Sequence, residues 1–309
     1  MKYIRKEFKD RDFLRIRDFL KNSCQHTPFR KNWLIDRWIF NRYWGQIMHD
    51  TFHTWPETVG LWEDENDDIV AIVNSEGDRI GRKTGAAFFQ LADKEFSNEF
   101  LNELVDHAEK KLALQNESGW SIALRVNEDS WQLKEILRNR DYMLLEWREA
   151  MSSMNLADEF KAELPDGFRI VDANEINDYQ KGFAHGRAFG YYKQDISDDD
   201  DAERCFRSLR KAPGYLPELD LAIVDQYDEV ASFANVWYDE LNQIGILEPV
   251  GTIPKYRKMG LGRAVIYEGI DRVKKKGADK MYVGSDQQFY LSIGFLVEYS
   301  KEIWQKDFI

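Results

Sequence analysis

One order of predicted secondary structure occurs twice along the 309-residue chain, and this repetition limits the possible folds more than any other feature. In each half, helical segments and short apolar runs separated by turn residues are followed by a helix, a strand, a helix and a strand. Several consecutive strands followed by alternating helices and strands predict a mixed sheet with helices on its faces. We therefore predict an α/β (α+β, mixed-sheet) chain built from two tandem copies of one unit.

The predicted boundary between the copies lies in the polar segment 152–167, which contains Pro165 and Gly167. A division after Ala157 gives domains 1–157 and 158–309. In the first copy we predict a helical region over 10–49, strands in the apolar runs 57–63, 68–74 and 85–92, and a helix capped by Ser97. Both copies have enough apolar residues to form a packed core.

Charge, apolar content and cysteine number exclude several classes of protein. The 55 acidic residues outnumber the 43 basic ones, and a net charge of −12 argues against a nucleic-acid partner. No uncharged apolar stretch reaches the roughly 18 residues of a membrane span, and the N-terminus lacks the apolar region of a secretory signal. Two distant cysteines, Cys24 and Cys205, exclude a disulfide framework and argue against a thiolate zinc site. We expect a cytoplasmic protein without a metal or a membrane partner.

The most informative segment is 247–264, LEPVGTIPKYRKMGLGRA, which follows a predicted strand and opens a predicted helix. Gly260 and Gly262 allow close approach of a ligand to the backbone, and basic side chains flank them at Arg257, Lys258 and Arg263. The first N–H groups and the dipole of the helix that begins near Leu261 favour an anion. The segment therefore predicts a phosphate or pyrophosphate site. The segment does not match the P-loop pattern, and it lacks the third small residue that the dinucleotide-binding fingerprint requires.

The run Arg257 to Gly262 resembles the R/Q-x-x-G-x-G/A pyrophosphate loop of the GNAT (GCN5-related N-acetyltransferase) superfamily. The later Tyr290 and the pair Gly294-Phe295 are also typical of that family. The first half has no such loop between its strand and helix, and it resembles a degenerate copy. The resemblance therefore implies two tandem GNAT-like acyl-CoA N-acyltransferase domains, of which the N-terminal one lacks the CoA loop.

The resemblance further implies an N-acetyltransferase that moves the acetyl group of acetyl-CoA to a primary amine of a small molecule by direct attack. Backbone N–H groups near Val250 and Thr252 would then polarise the thioester carbonyl, Glu248 would be the base, directly or through water, and Tyr290 the acid. The residues expected to bind acetyl-CoA are Val250, Gly251, Thr252, Arg257, Lys258, Met259, Gly260, Leu261, Gly262 and Arg263.

Several alternatives stay open at this level. Glu248 is alternatively an edge carboxylate or a ligand for the acceptor's ammonium, and Tyr290 is alternatively a core tyrosine. The chain is alternatively a non-catalytic acetyl-CoA sensing module, or an enzyme that acetylates a protein or peptide amine. The acidic run 195–203 is either a solvated loop or a lip that attracts a cationic amine. Because GNAT proteins are often dimers, the resemblance also allows a homodimer.

Overall fold

The computed structural model describes residues 3–26, 31–76, 82–190 and 200–309. The chain forms two compact units, each assembled from separated segments. The N-terminal unit contains Met1–Leu34, His49–Met151 and Glu298–Ile309, and the C-terminal unit contains Ile35–Met48 and Ser152–Val297. The domain boundary after Ala157 stays a prediction.

Short strands and helices alternate through the first half of the chain. The elements in order are β1 (Ile4–Glu7), α1 (Asp12–His26), α2 (Ile35–Phe40), a π-helical turn (Asn41–Gly45), α3 (Gln46–His49), a 3-10 turn (Trp55–Thr58), β2 (Gly60–Glu63), β3 (Ile69–Asn74), β4 (Gly85–Leu91), α4 (Asn98–Leu112), β5 (Leu114–Asn116), β6 (Gly119–Asn127), α5 (Trp131–Asn139) and β7 (Met143–Asn155).

The second half repeats much of this order. Its elements are β8 (Arg169–Asp172), α6 (Asp178–Phe189), α7 (Asp200–Leu209), a 3-10 turn (Pro217–Leu219), β9 (Asp220–Val224), β10 (Val230–Asp239), β11 (Ile244–Thr252), a 3-10 turn (Pro254–Tyr256), α8 (Leu261–Lys275), β12 (Lys280–Val283), α9 (Gln288–Ser292) and β13 (Leu296–Phe308).

The predicted strands and the helix capped by Ser97 are confirmed, whereas the helical region over 10–49 is interrupted. Asn32 and Trp33 hydrogen-bond through their side chain and backbone to the end of β4, which holds this stretch outside either flanking helix. Strands β1 and β5 have only four and three residues, and we did not predict them.

Both units have one strand order, which confirms the predicted mixed sheet and the tandem repeat. In the N-terminal unit β1, β2, β3 and β4 are antiparallel neighbours, β4 is parallel to β6, and β6 pairs with 301–308 of β13. In the C-terminal unit β8, β9, β10 and β11 are antiparallel neighbours, β11 is parallel to β12, and β12 pairs with 152–155 of β7.

Two faces of the C-terminal sheet carry separate cores, and this arrangement positions the loop between β11 and α8. Ala234 and Val236 of β10 pack in the core that includes Val265 and Ile270 of α8. Phe233 points to the opposite face, where it packs in the core that includes Ala184 of α6. Helices α8 and α6 therefore cover opposite faces of β10, as strand alternation requires.

Candidate active site

Strand β11 continues beyond the end of its pairing with β12. The parallel register runs only from Ile244 opposite Lys280 to Ile246 opposite Tyr282, although β11 extends to Thr252. On its other side β11 stays paired with β10 as far as Thr252 opposite Ser232. Among the residues that the structure describes, no strand pairs with this edge of the last residues of β11, so their backbone is open there.

The direction of the backbone groups on this edge follows from the next residue. The amide of Ile253 donates to the carbonyl of Ala231 at 3.0 Å, so it points toward β10. Because N–H directions alternate along a strand, the amides of Val250 and Thr252 point the other way, toward the opening beside β12. These are the two positions at which we predicted a donor for the thioester carbonyl.

The loop after β11 has the backbone that its glycines predict. Gly260 precedes α8 with a φ of +84°, in the left-handed region that favours glycine. A Cβ on Gly262 would lie 3.1 Å from Cζ of Phe289 and 3.2 Å from Oγ1 of Thr252, so this position has little room for a side chain. Helix α8 has 15 residues, and its first N–H groups face the loop.

The three basic side chains of the loop do not have the same surroundings. Arg257 donates from Nε to the carbonyl of Thr252 at 3.1 Å and from Nη2 to that of Ala188 at 2.8 Å. Its guanidinium therefore braces the loop against the end of α6. Lys258 and Arg263 are exposed, and within the described part of the chain they form no ion pair, so both are available for an anion.

All the predicted site residues line one cleft of about 1200 Å³ in the C-terminal unit. They are Glu248, Val250, Gly251, Thr252, Arg257, Lys258, Met259, Gly260, Leu261, Gly262, Arg263 and Tyr290. Phe189 at the end of α6 and Phe289 at the start of α9 also line it, although no local pattern marks either aromatic residue in the sequence. The structure thus brings together predicted site residues that are up to 42 positions apart in the sequence, from Glu248 to Tyr290.

Glu248 and Tyr290 influence each other electrostatically across this cleft. Burial and the negative charge of Glu248 raise the pKa of the Tyr290 phenol, which is 9% exposed. The phenol therefore stays protonated at neutral pH and is able to donate. Glu248 is half-buried, and its backbone carbonyl accepts a hydrogen bond from Nε1 of Trp237 at 2.8 Å.

The corresponding strand edge of the N-terminal unit is closed by a side chain. Pairing of β4 with β6 ends at Phe88 opposite Arg125, and β4 continues to Leu91. Asn32 accepts from the Leu91 amide at 2.9 Å and donates to the Leu91 carbonyl at 2.9 Å. The amide and carbonyl of Leu91 therefore have hydrogen-bond partners, whereas the corresponding edge of β11 in the C-terminal unit is open. Sequence reasoning missed it because it joins positions 59 residues apart.

Three further expectations concern other parts of the molecule. In the described ranges no group of three or more His, Cys, Asp or Glu side chains is arranged to hold a metal ion. None of the described helices is both long and apolar enough to cross a bilayer. Of the acidic run 195–203, residues 195–199 lie outside the described residues, so its role as a lip stays a prediction.

Comparison with known families and structures agrees with this geometry. Residues 182–296 match the model of the acetyltransferase (GNAT) family, and no curated protein sequence matches the chain. A GCN5-related N-acetyltransferase from Sphaerobacter thermophilus is similar with a TM-score of 0.62 and 13% identity, over 98% of this chain and 95% of that one. A tandem GNAT protein from the clavulanic acid biosynthesis pathway has a TM-score of 0.63 and 10% identity, over 99% and 98%.

A third similar structure is the GCN5-related glucosamine N-acetyltransferase region of a fungal multi-domain GH3 β-N-acetylglucosaminidase. Its TM-score is 0.54 at 12% identity, and the similarity covers 99% of this chain and 38% of that one. Identities this low show the shared fold. They leave the substrate of the present chain to be argued from its own residues.

Proposed function

Because residues 182–296 match the model of the acetyltransferase (GNAT) family, we propose that this chain is a GNAT acyltransferase that transfers the acetyl group of acetyl-CoA to a primary amine of a small molecule. The observation that carries the proposal is the single cleft in which the glycine loop, the open edge of β11, Glu248 and Tyr290 meet. Each of these features supplies one requirement of acyl transfer to an amine.

The loop supplies the binding site for the diphosphate. The backbone around Gly260 and the first turn of α8 offer N–H groups, and Lys258 and Arg263 offer exposed positive charge. Arg257 contributes by holding the loop to the carbonyls of Thr252 and Ala188. A long, narrow ligand then extends along the open edge of β11, which brings its thioester toward Glu248 and Tyr290.

The reaction itself needs one new bond and two proton movements. The amine nitrogen forms a bond to the thioester carbon, and the carbon–sulfur bond breaks. Glu248 accepts the proton that the amine loses, directly or through water, and Tyr290 donates a proton to the departing sulfur. An amide of Val250 or Thr252 donates to the carbonyl oxygen, a kind of contact whose loss costs about 2.7–4 kcal/mol in other enzymes.

The amine side of the cleft favours a small acceptor over a peptide. Helix α2 packs across β10 and β11, the strands that carry the bulge at Glu248. We propose that this helix limits the room for an extended peptide beside Glu248. One of the similar structures is itself described as a glucosamine N-acetyltransferase region, which is consistent with a small polar amine.

A thiol-release assay with acetyl-CoA and a panel of amines tests the proposal. We expect release that depends on the added amine, with small polar amines better than lysine-containing peptides. Tight CoA binding without amine-dependent release would instead indicate a sensing module. Faster release with peptides than with any small amine would show that the acceptor is a protein.

A further inference from the structure

The short turn that precedes the glycine loop is joined to another part of the C-terminal unit by one carboxylate. The 3-10 turn Pro254–Tyr256 leads directly into Arg257. Lys255 donates to Oε2 of Glu229, and the Tyr256 hydroxyl donates to the same oxygen at 3.1 Å. Glu229 is the last residue of the connection 225–229 between β9 and β10. This connection therefore holds the turn from which the loop begins.

The other oxygen of Glu229 contacts helix α6. Oε1 accepts from Nη1 of Arg187 at 2.8 Å, in the last turn of that helix. The carbonyl of the next residue, Ala188, accepts from Nη2 of Arg257 at 2.8 Å, and Ala188 lines the cleft. The end of α6, the connection 225–229 and the loop are therefore joined pairwise. Each of the three is fixed by contacts with the other two.

A second acid orders the connection and receives the same turn. Asp225 accepts from the Tyr256 hydroxyl through Oδ2 at 2.6 Å and from the Glu229 amide through Oδ1 at 3.0 Å. Burial raises the pKa of Glu229, but the contacts with Lys255 and Tyr256 and the charges of Lys255 and Arg187 outweigh it, so the pKa lies below its usual value. Glu229 is therefore charged at neutral pH.

The loop itself has a backbone that calls for support from outside. Lys258 has a φ of +66° although it is not a glycine, and Gly260, two residues later, has a φ of +84°. A left-handed conformation is unfavourable for a residue with a Cβ, and it persists where the surrounding structure determines it. The contacts of Glu229 lie immediately before this stretch in the chain.

The charge of Glu229 is unfavourable for an anion at the loop, so electrostatics alone does not explain its position. A carboxylate near a diphosphate repels it. Lys255, which the same carboxylate contacts, has its positive charge neutralised by this ion pair. Any contribution of Glu229 to coenzyme binding therefore acts through the position of the loop.

We propose that Glu229 is a positioning residue for the coenzyme: its carboxylate holds the turn and the end of α6 so that the amides after Gly260 face the diphosphate. The inference rests on the proposed function, because it takes the glycine loop as the CoA site. A loop that is ordered before the coenzyme binds does not have to be ordered by it, and this lowers the cost of binding.

Calorimetry of Glu229→Gln with CoA tests the inference. Glutamine has the size of glutamate, but its amide group is a donor where Arg187 and Lys255 are donors as well. We expect the Kd for CoA to rise roughly tenfold and the KM for acetyl-CoA to rise by the same factor, with kcat at saturating acetyl-CoA unchanged. Unchanged or tighter CoA binding by the folded variant would overturn the inference, since tighter binding is the effect of the lost negative charge alone.

The matched control is Asp228→Asn, which removes the same charge from the same connection. Asp228 pairs with Arg169 of β8 at 2.8 Å, and asparagine tolerates its φ of +63°. This variant should leave CoA affinity unchanged, and thermal melts establish that both proteins are folded. A loss equal to that of Glu229→Gln would assign the effect to the charge or the stability of the connection, and would overturn the role of Glu229.

A second variant separates an action through Glu229 from a direct contact of Lys255 with the coenzyme. Lys255→Met should weaken CoA binding when Glu229 is present and should add little in the Glu229→Gln background, because both changes break one contact. A similar loss in both backgrounds would show that Lys255 binds the coenzyme itself, and the positioning role of the pair would be refuted.

The inference and the proposed function fail in different ways. CoA binding requires no turnover, so the expected pattern of affinities without amine-dependent thiol release from the wild type supports the role of Glu229 and overturns the proposed transfer. Amine-dependent release by the wild type, with normal CoA affinity in Glu229→Gln, supports the transfer and overturns the role of Glu229.

Discussion

At the residue scale, Tyr290 is the position where structure and proposed chemistry are most closely linked. Burial and Glu248 keep its phenol protonated, so Tyr290→Phe removes a proton donor while it preserves the ring that packs in the core. We expect turnover to fall by roughly 10²-fold, with little change in CoA affinity. Steady-state kinetics and calorimetry measure the two quantities.

The control for that variant is Tyr267→Phe, because the Tyr267 hydroxyl donates to the carbonyl of Ile293 at 3.2 Å and lies outside the cleft lining. It should leave turnover unchanged. Turnover that is equal in Tyr290→Phe and wild type at every pH would remove Tyr290 from the role of acid.

Substitution of Gly260 tests the proposed anion site of the loop, again with a matched control. Gly260→Asp adds a side chain at a φ of +84° and a negative charge beside the first turn of α8, so we expect it to abolish CoA binding. Gly214→Asp is a matched control, since Gly214 has a φ of +83° and open space around it outside the loop. Calorimetry that shows normal CoA affinity in Gly260→Asp would refute the loop assignment.

Asp36 of α2 also makes a prediction about stability. Burial raises its pKa to about 6 in the folded protein, against a value near 3.8 in the unfolded chain, so the unfolded state loses the proton first as pH rises. The free energy of unfolding therefore decreases between these two values, and the full cost, on the order of 3 kcal/mol, applies above pH 6. Asp36→Asn should raise Tm more at pH 8 than at pH 5. An equal shift at both pH values would show that the carboxyl is not desolvated.

At the element scale, the edge of β4 shows how one side chain closes the strand edge that corresponds to the open edge of β11. Asn32 makes two hydrogen bonds to Leu91, and its side chain is largely buried. Asn32→Ala leaves a buried N–H and carbonyl without these partners, so we expect the free energy of unfolding to fall by about 1–3 kcal/mol. Denaturant titration measures the change. A neutral result would indicate that water replaces both contacts.

The elements of the candidate site were predictable because their signals are local. The glycines, the flanking basic residues and the proline of 247–264 lie within one short segment and determine its backbone and charge. The contacts of Asn32 with Leu91 and of α2 with β10 depend on residues far apart in sequence. No periodicity within a window reports such a pairing, so the packing of α2 on β10 and β11 emerged only from the structure.

At the scale of the whole molecule, the tandem repeat was predictable but the origin of the last strand of each sheet was not. The halves share an order of apolar runs, and this order is sufficient for the fold class. However, the final strand of each sheet comes from the other half of the chain: 301–308 pair with β6, and 152–155 pair with β12. Each half of the sequence ends in a strand, β7 or β13, and nothing within either strand reports which distant strand it pairs with.

The repeat also predicts how much coenzyme the molecule binds. The segment before α4 has no glycine, and its Lys94 lies between Asp93 and Glu95 and pairs with Asp64 at 3.1 Å. The Ser97 side chain already accepts from the Phe100 amide at 3.2 Å. Asn32 closes the adjacent strand edge. We therefore expect one CoA per chain by calorimetry, and no second site in Asn32→Ala, because opening the edge does not create an anion site. Two equivalents bound by the wild type, with one of them retained in Gly260→Asp, would show that the N-terminal unit binds the coenzyme by other means.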